Sequence, residues 1–185
     1  MKLKKILFTA IMLAFLIGVQ FATSPIGMPL GQFVTGALVN LILLVTVFTV
    51  GLGGSLVVAV ASNALAFLAG IGPALPQVIP FVAAANAILV SVASLVRRQI
   101  AGKGIKNKLL AAAGLAGAGA AKTLFLWVGL VLIALPLIPG IQEPQIAMLS
   151  AAFTWPQLVT SLSGGALAML IMPLLQKALK GFERA

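Results

Sequence analysis

Residues 109–135 read LLAAAGLAGAGAAKTLFLWVGLVLIAL, and Lys122 is the only charged residue among these 27. An α-helix rises about 1.5 Å per residue, so about 20 apolar residues cross the hydrocarbon core of a bilayer. The stretch exceeds that length without a break. It therefore predicts a transmembrane helix and a lipid environment for the chain that contains it.

Composition extends this prediction to the whole chain. Of 185 residues, 62% are hydrophobic and only 8% are charged, whereas soluble domains are about 45–50% apolar and about 25% charged. A span with its connection takes about 30 residues, which predicts about six spans. We therefore expect an all-α polytopic membrane protein that forms a single integral membrane domain over residues 1–185. The predicted transmembrane helices are 6–22, 33–50, 55–69, 78–96, 109–135 and 155–175.

The basic residues predict the orientation of these helices. Apart from Lys122, they fall in three patches, within residues 2–5, 97–108 and 177–184, while the connections 23–32, 70–77 and 136–153 contain no Lys or Arg. Positive residues favour the cytoplasmic side. We therefore expect a protein of the bacterial cytoplasmic membrane with both termini in the cytoplasm. The same confinement favours membrane orientation over nucleic-acid binding as the reason for the net charge of +10. The first apolar run could be a cleaved signal peptide, but we favour an uncleaved first helix.

Missing residue types exclude several functions. The chain has no Cys and no His, and its only acidic residues are Glu143 and Glu183, so we expect no metal site, no cofactor and no catalytic constellation. Residues 114–123, GLAGAGAAKT, resemble a phosphate-binding loop. However, Ala121 stands where the motif needs Gly, and no strand precedes it. We interpret the small residues as a surface for close helix packing.

Lys122 is the candidate for ligand binding, because charges deep within spans are costly and are usually functional. The alternative is a structural lysine that bonds carbonyls of a neighbouring helix. Ala118 and Gly119 lie one turn before Lys122 and leave room for a cavity, and Phe125 lies on the same helix face. Polar residues in other spans could line this cavity or simply bond across helices. The candidate substrate-binding residues are Lys122, Asn86, Gln157, Thr160, Phe125 and Asn40.

Small residues also recur in the first span, where Ala10, Ala14 and Gly18 are four residues apart. This face either packs within the chain or docks onto a partner. The spans contain no Asp, Glu or His that could carry protons, and the chain has no nucleotide site. If the protein moves a solute uphill, the energy must come from another subunit.

Taken together, the chain resembles the substrate-binding subunit (S component) of an energy-coupling factor (ECF) vitamin transporter. The resemblance rests on the length, the six-span plan and the Ala10–Ala14 face. It also rests on residues 35–40 (TGALVN), 80–89 (PFVAAANAIL), 155–160 (WPQLVT) and the pair Gly164–Gly165. It implies capture of a vitamin or related micronutrient at the outer face, with loop 23–32 as a lid. It also implies docking of Ala10 and Ala14 onto a transmembrane scaffold subunit, and two cytoplasmic ABC ATPases that supply the energy.

The ligand and the function remain open to alternatives at this stage. Lys122 suits a carboxylate or a phosphate, so we expect an anionic ligand. A self-contained channel or facilitator for a small solute would need no partner. A structural assembly subunit would need no ligand.

Overall fold

A computed structural model describes residues 2–72, 75–102 and 104–182, and this part of the chain is helical without any strand. A 3-10 turn, Pro76–Val78, leads into the fourth helix, and the sixth helix is π-helical over Leu126–Ala134. The helices are α1 (Lys2–Thr23), α2 (Leu30–Thr49), α3 (Leu52–Leu68), α4 (Ile79–Leu95), α5 (Arg97–Ala101), α6 (Ile105–Leu137), α7 (Glu143–Ala152) and α8 (Trp155–Phe182).

The helices are long and apolar, as the composition predicts. Within the described residues, five stretches are long and apolar enough to cross a membrane, and α3, with 17 residues, is a shorter apolar helix. The expectation of an all-helical chain with several membrane-length apolar helices is confirmed. The fold is that of a helical bundle compatible with a polytopic membrane protein.

The connections between the long helices collect at two ends of the bundle. Lys5, the turn at Gly51 and Arg97 border one groove, so the start of α1, the start of α3 and the end of α4 share an end. We name this the basic end. Gln32 and Phe153 border a second cavity at the opposite end. Successive long helices therefore run in alternate directions, and two of the basic patches lie together.

Two apolar clusters hold the bundle together. The first joins α1, α2, α3, α4, α6 and α8 through fully buried side chains such as Leu43, Val47 and Leu89. The second joins α4, α6 and α7 around Leu126 and Leu130. The most extensive interface between helices is that of α2 with α8. Both helices contribute residues to the site described below.

Several predicted boundaries shift. The predicted loop 23–32 is shorter, because α1 ends at Thr23 and α2 begins at Leu30. Val50 and Gly51, the latter with φ of 96°, make the next turn, so α3 begins at Leu52 rather than at residue 55. The predicted loop 136–153 contains α7. The backbone N–H of Gln142 donates to Gln145 Oε1 at 3.1 Å and caps the start of this helix.

Candidate functional site

Glycines let α2 and α8 approach almost to backbone contact. A Cβ on Gly164 would lie 2.7 Å from Asn40 Cβ, and a Cβ on Gly36 would lie 2.8 Å from Thr160 Cγ2. Neither distance leaves room for a methyl group. The two glycines therefore bring Asn40 and Thr160, one from each helix, to the same place inside the bundle.

A third glycine joins α6 to α8. A Cβ on Gly119 would lie 2.9 Å from Ser161 Cβ, and Ala118 beside it is fully buried. The expectation that Ala118 and Gly119 leave room for a cavity is wrong, because α8 fills that space. The Gly- and Ala-rich part of α6 is a packing surface here, and it places Lys122 opposite α2.

The close approach of three helices creates a chain of buried hydrogen bonds. Lys122 Nζ donates to Asn40 Oδ1 at 2.7 Å. Asn40 Nδ2 donates to Thr160 Oγ1 at 3.3 Å, and Thr160 Oγ1 donates to the Gln157 carbonyl at 3.1 Å. These bonds fix the direction of the Asn40 amide, whose oxygen faces the lysine.

Lys122 has no carboxylate partner at this site. The lysine side chain is 3% exposed. The chain holds only two acidic residues, of which Glu143 is exposed at the start of α7 and Glu183 lies outside the described residues. An ammonium group has three N–H donors, and within the described residues one of them is used, by Asn40. The site therefore holds a buried lysine amino group with N–H donors left unused by the protein.

A cavity of about 210 Å³ adjoins Lys122. It lies among α1, α2, α3, α4, α6 and α8 at the end opposite the basic end. Its apolar border includes Val39, Val82 and Phe153. The polar side chains that line it are Gln20, Gln32, Thr35, Asn63, Asn86, Lys122 and Gln157.

Two polar groups at the cavity have no hydrogen-bond partner among the residues that the structure describes. Asn86 is 2% exposed, and its Oδ1 forms no hydrogen bond within the described residues, nor does the buried Oε1 of Gln20. A buried polar group left unpaired costs about 1–3 kcal/mol. Native proteins retain such groups mainly where a ligand, ion or water completes the bonding.

The segment that follows α7 borders the cavity. Gln32 Nε2 and Gln157 Nε2 both donate to the Ala152 carbonyl, at 2.6 Å and 3.1 Å. Phe153, the next residue, lines the cavity and packs into the second apolar cluster. Two side chains from α2 and α8 thus hold one peptide group of the covering segment in place.

The predicted site residues divide into three groups in the structure. Lys122, Asn86 and Gln157 line the cavity. Asn40 and Thr160 lie behind Lys122 and bind it through the hydrogen-bonded chain. The ring of Phe125 packs against Phe81, with centroids 6.5 Å apart, and does not line the cavity.

Sequence reasoning missed several lining residues. Gln20 and Gln32 lie within or at the edge of apolar helices. Their positions could have identified them, because each lies close to the end of a predicted span, and the connection at that end contains no Lys or Arg. Residues so placed belong to one end of the bundle once the helix directions are assigned.

The small face of α1 is open. Ala10, Ala14 and Gly18 are exposed, and nothing lies within 4 Å of a Cβ built on Gly18. Only 11% of α1, taken over its most apolar window, is buried, the smallest share among the five candidate spans. Helix α1 is therefore peripheral, and its small residues do not serve packing within the described chain.

Comparison with protein-family models, with curated proteins and with solved structures finds no match to this chain.

Proposed function

We propose that this chain is the membrane-embedded substrate-binding subunit of an ECF-type transporter and captures a small anionic micronutrient. The observation that carries the proposal is the cavity beside Lys122, which combines a buried cation without a carboxylate partner and two unpaired amide oxygens. A bound anion would accept hydrogen bonds from the unused lysine N–H groups and offset the cost of burying the lysine charge.

The cavity constrains the ligand. Its volume of about 210 Å³ is below the range of about 300–1,000 Å³ that is usual for ligand pockets. The ligand is therefore a small organic acid. Its carboxylate or phosphate would face Lys122, and N–H or O–H groups elsewhere on it would donate to Asn86 and Gln20. Val82 and Phe153 would contact the apolar part between them.

The proposal includes six transmembrane helices with both termini in the cytoplasm. The support is the pattern of basic residues, since Lys5 and Arg97 lie at one end and the cavity lies at the other. In this orientation the cavity opens toward the outer face of a bacterial cytoplasmic membrane. Loop 23–32 and the end of α7, which Gln32 and Gln157 hold by hydrogen bonds to the Ala152 carbonyl, would cover it.

Energy would come from partners in this proposal. The resemblance implies a transmembrane scaffold subunit and two cytoplasmic ABC ATPases, in which ATP hydrolysis would reside. The exposed stripe of Ala10, Ala14 and Gly18 on the peripheral helix α1 is the proposed contact with the scaffold. Small residues allow the close approach that helix packing in a membrane requires.

The cavity supports binding rather than free passage. Toward the basic end, the first apolar cluster fills the bundle with fully buried side chains, including Leu16, Leu43 and Leu89. A channel for a small solute would need a continuous polar path through this layer. The facilitator remains the alternative, and the following experiment separates the two functions.

Small molecules that elute from the purified chain are identified by mass spectrometry and then offered, radiolabelled, to sealed vesicles that contain the chain alone. We expect one bound molecule per chain and no accumulation inside. Co-reconstitution with scaffold and ATPase subunits plus ATP should give concentrative uptake. Equilibration by the chain alone would favour a facilitator, and concentrative uptake by the chain alone would contradict the need for partners.

A further inference from the structure

A second and larger cavity lies at the basic end of the bundle. It is a groove of about 700 Å³ between α1, the end of α2 and the start of α3. Ile6 and Leu13 of α1 and Val57 of α3 form apolar walls, while Lys5 and Arg97 stand at its charged border. The groove shares no residue with the cavity beside Lys122, so it is a separate feature of the molecule.

Arg97 is held at the groove by the end of α2. Its Nη2 donates to the Phe48 carbonyl at 2.9 Å, and its Nη1 lies 3.3 Å from a Cβ built on Gly51. One guanidinium edge is thus bonded to the bundle. A guanidinium group has five N–H donors, so others remain to bind an anion.

The start of α3 adds a second source of positive potential. Gly51 has φ of 96°, a conformation that favours glycine, and no side chain caps the helix that begins at Leu52. The first N–H groups of a helix have no partner within it, and the helix dipole places about half a positive charge there. Leu52, Gly53 and Gly54, the first residues of α3, line the groove, and nothing lies within 4 Å of a Cβ built on Gly53.

No described acidic side chain neutralises this border. Glu143, the acidic residue that the structure describes, begins α7, and the residue that follows this helix, Phe153, lines the other cavity. Lys5, Arg97 and the α3 terminus therefore present a positive border to whatever enters the groove. Apolar walls continue from that border along α1 and α3.

We propose that this groove binds the phosphate headgroup of an anionic phospholipid, with an acyl chain along its apolar walls. Basic pockets between transmembrane helices are suited to anionic headgroups. A free anion would satisfy Lys5, Arg97 and the α3 terminus but would leave Ile6, Leu13 and Val57 without a partner. A lipid satisfies both parts of the groove at once.

The packing of α1 against α3 determines the shape of the groove. A Cβ on Gly54 would lie 2.6 Å from Thr9 Oγ1, so α1 approaches α3 closely at this point. Gly53, one residue earlier, has nothing within 4 Å of a Cβ position. A larger side chain at Gly53 would therefore fill the groove without a collision inside the protein.

Native mass spectrometry of the delipidated full chain, titrated with phosphatidylglycerol or phosphatidylcholine, tests the proposal. We expect preferential binding of phosphatidylglycerol. Each surface cation contributes about 1 kcal/mol to binding an anionic lipid, which is about fivefold in affinity. Lys5→Gln should therefore lose about fivefold and the double variant with Arg97→Gln about 25-fold, whereas Lys4→Gln, outside the groove, should bind as the wild type does.

Gly53→Leu separates occupancy from charge and from folding. It removes no cation and should still abolish preferential phosphatidylglycerol binding, because the leucine side chain occupies the groove. Phosphatidylglycerol binding at the wild-type level by both Gly53→Leu and Lys5→Gln would overturn the proposal. Competition by soluble glycerol 3-phosphate at equal concentration would also overturn it, since it would assign the groove to a free phosphate.

Discussion

Replacing Lys122 by Met distinguishes a ligand-binding lysine from a structural one, because the two roles predict opposite effects on the stability of the ligand-free protein. A lysine near the centre of a membrane helix costs about 3 kcal/mol. The substitution removes this cost, but it also removes the donor that lies 2.7 Å from Asn40 Oδ1. The oxygen is then unpaired, at a cost of about 2 kcal/mol. We therefore expect Lys122→Met to stabilise the ligand-free protein by about 1 kcal/mol.

The double variant Lys122→Met/Asn40→Leu sharpens the prediction. Leucine removes the unpaired oxygen, and Thr160 retains its own bond to the Gln157 carbonyl. The gain in unfolding free energy should then rise to about 3 kcal/mol, within the range measured when buried charged groups are replaced by apolar ones. Met is close to Lys in volume, and Leu has the same branched arrangement of four side-chain heavy atoms as Asn.

Thermal and denaturant unfolding in detergent, with ligand removed, provide the measurement. Lys108→Met is the matched control, since Lys108 is exposed near the start of the same helix, and it should change stability by less than about 0.5 kcal/mol. A double variant that is less stable than the wild type would refute the reasoning. Lys122 and Asn40 would then serve to hold α2 against α6.

Three further predictions follow from packing and orientation. Gly164→Ala should destabilise the protein by about 1–3 kcal/mol in thermal unfolding, because the added methyl group would collide with Asn40. Gly117→Ala is the control, since Gly117 has open space around it, and it should not be destabilised. Equal stability of the two variants would contradict the close α2–α8 contact. Ala14→Leu should leave ligand affinity unchanged and block uptake by the complete transporter; normal uptake would remove α1 as the docking face. Lys106→Cys should react with a membrane-impermeant thiol reagent from the cytoplasmic side only; labelling of intact cells would reverse the proposed orientation.

The sequence predicted the helices well because lipid leaves little choice. Long apolar runs with little charge can satisfy their backbone groups only as helices, and the basic patches grouped the connections at two ends. The start of α3 moved from residue 55 to Leu52, because Val50 and Gly51 are enough for the turn between α2 and α3. Helix α7 was missed, since three prolines in residues 136–153 obscured the cap at Gln142.

The site was predictable only in part. Lys122 stood out because a lone charge in an apolar helix is rare, and its pairing with Asn40 follows from the glycines at positions 36, 119 and 164. Periodicity placed Phe125 on the same face as Lys122, but the aromatic ring packs against Phe81 instead. Gln20 was missed because one glutamine in an apolar helix carries no signal until its neighbours in space are known.

The most direct test of the account is native mass spectrometry of the wild-type chain extracted from its own membrane. We predict a single small organic acid bound at one per chain, absent from Lys122→Met and retained in Lys108→Met. An organic acid that stays bound to Lys122→Met, or a wild-type chain that never carries one even when partner subunits take up substrate, would contradict the claim that Lys122 binds the ligand.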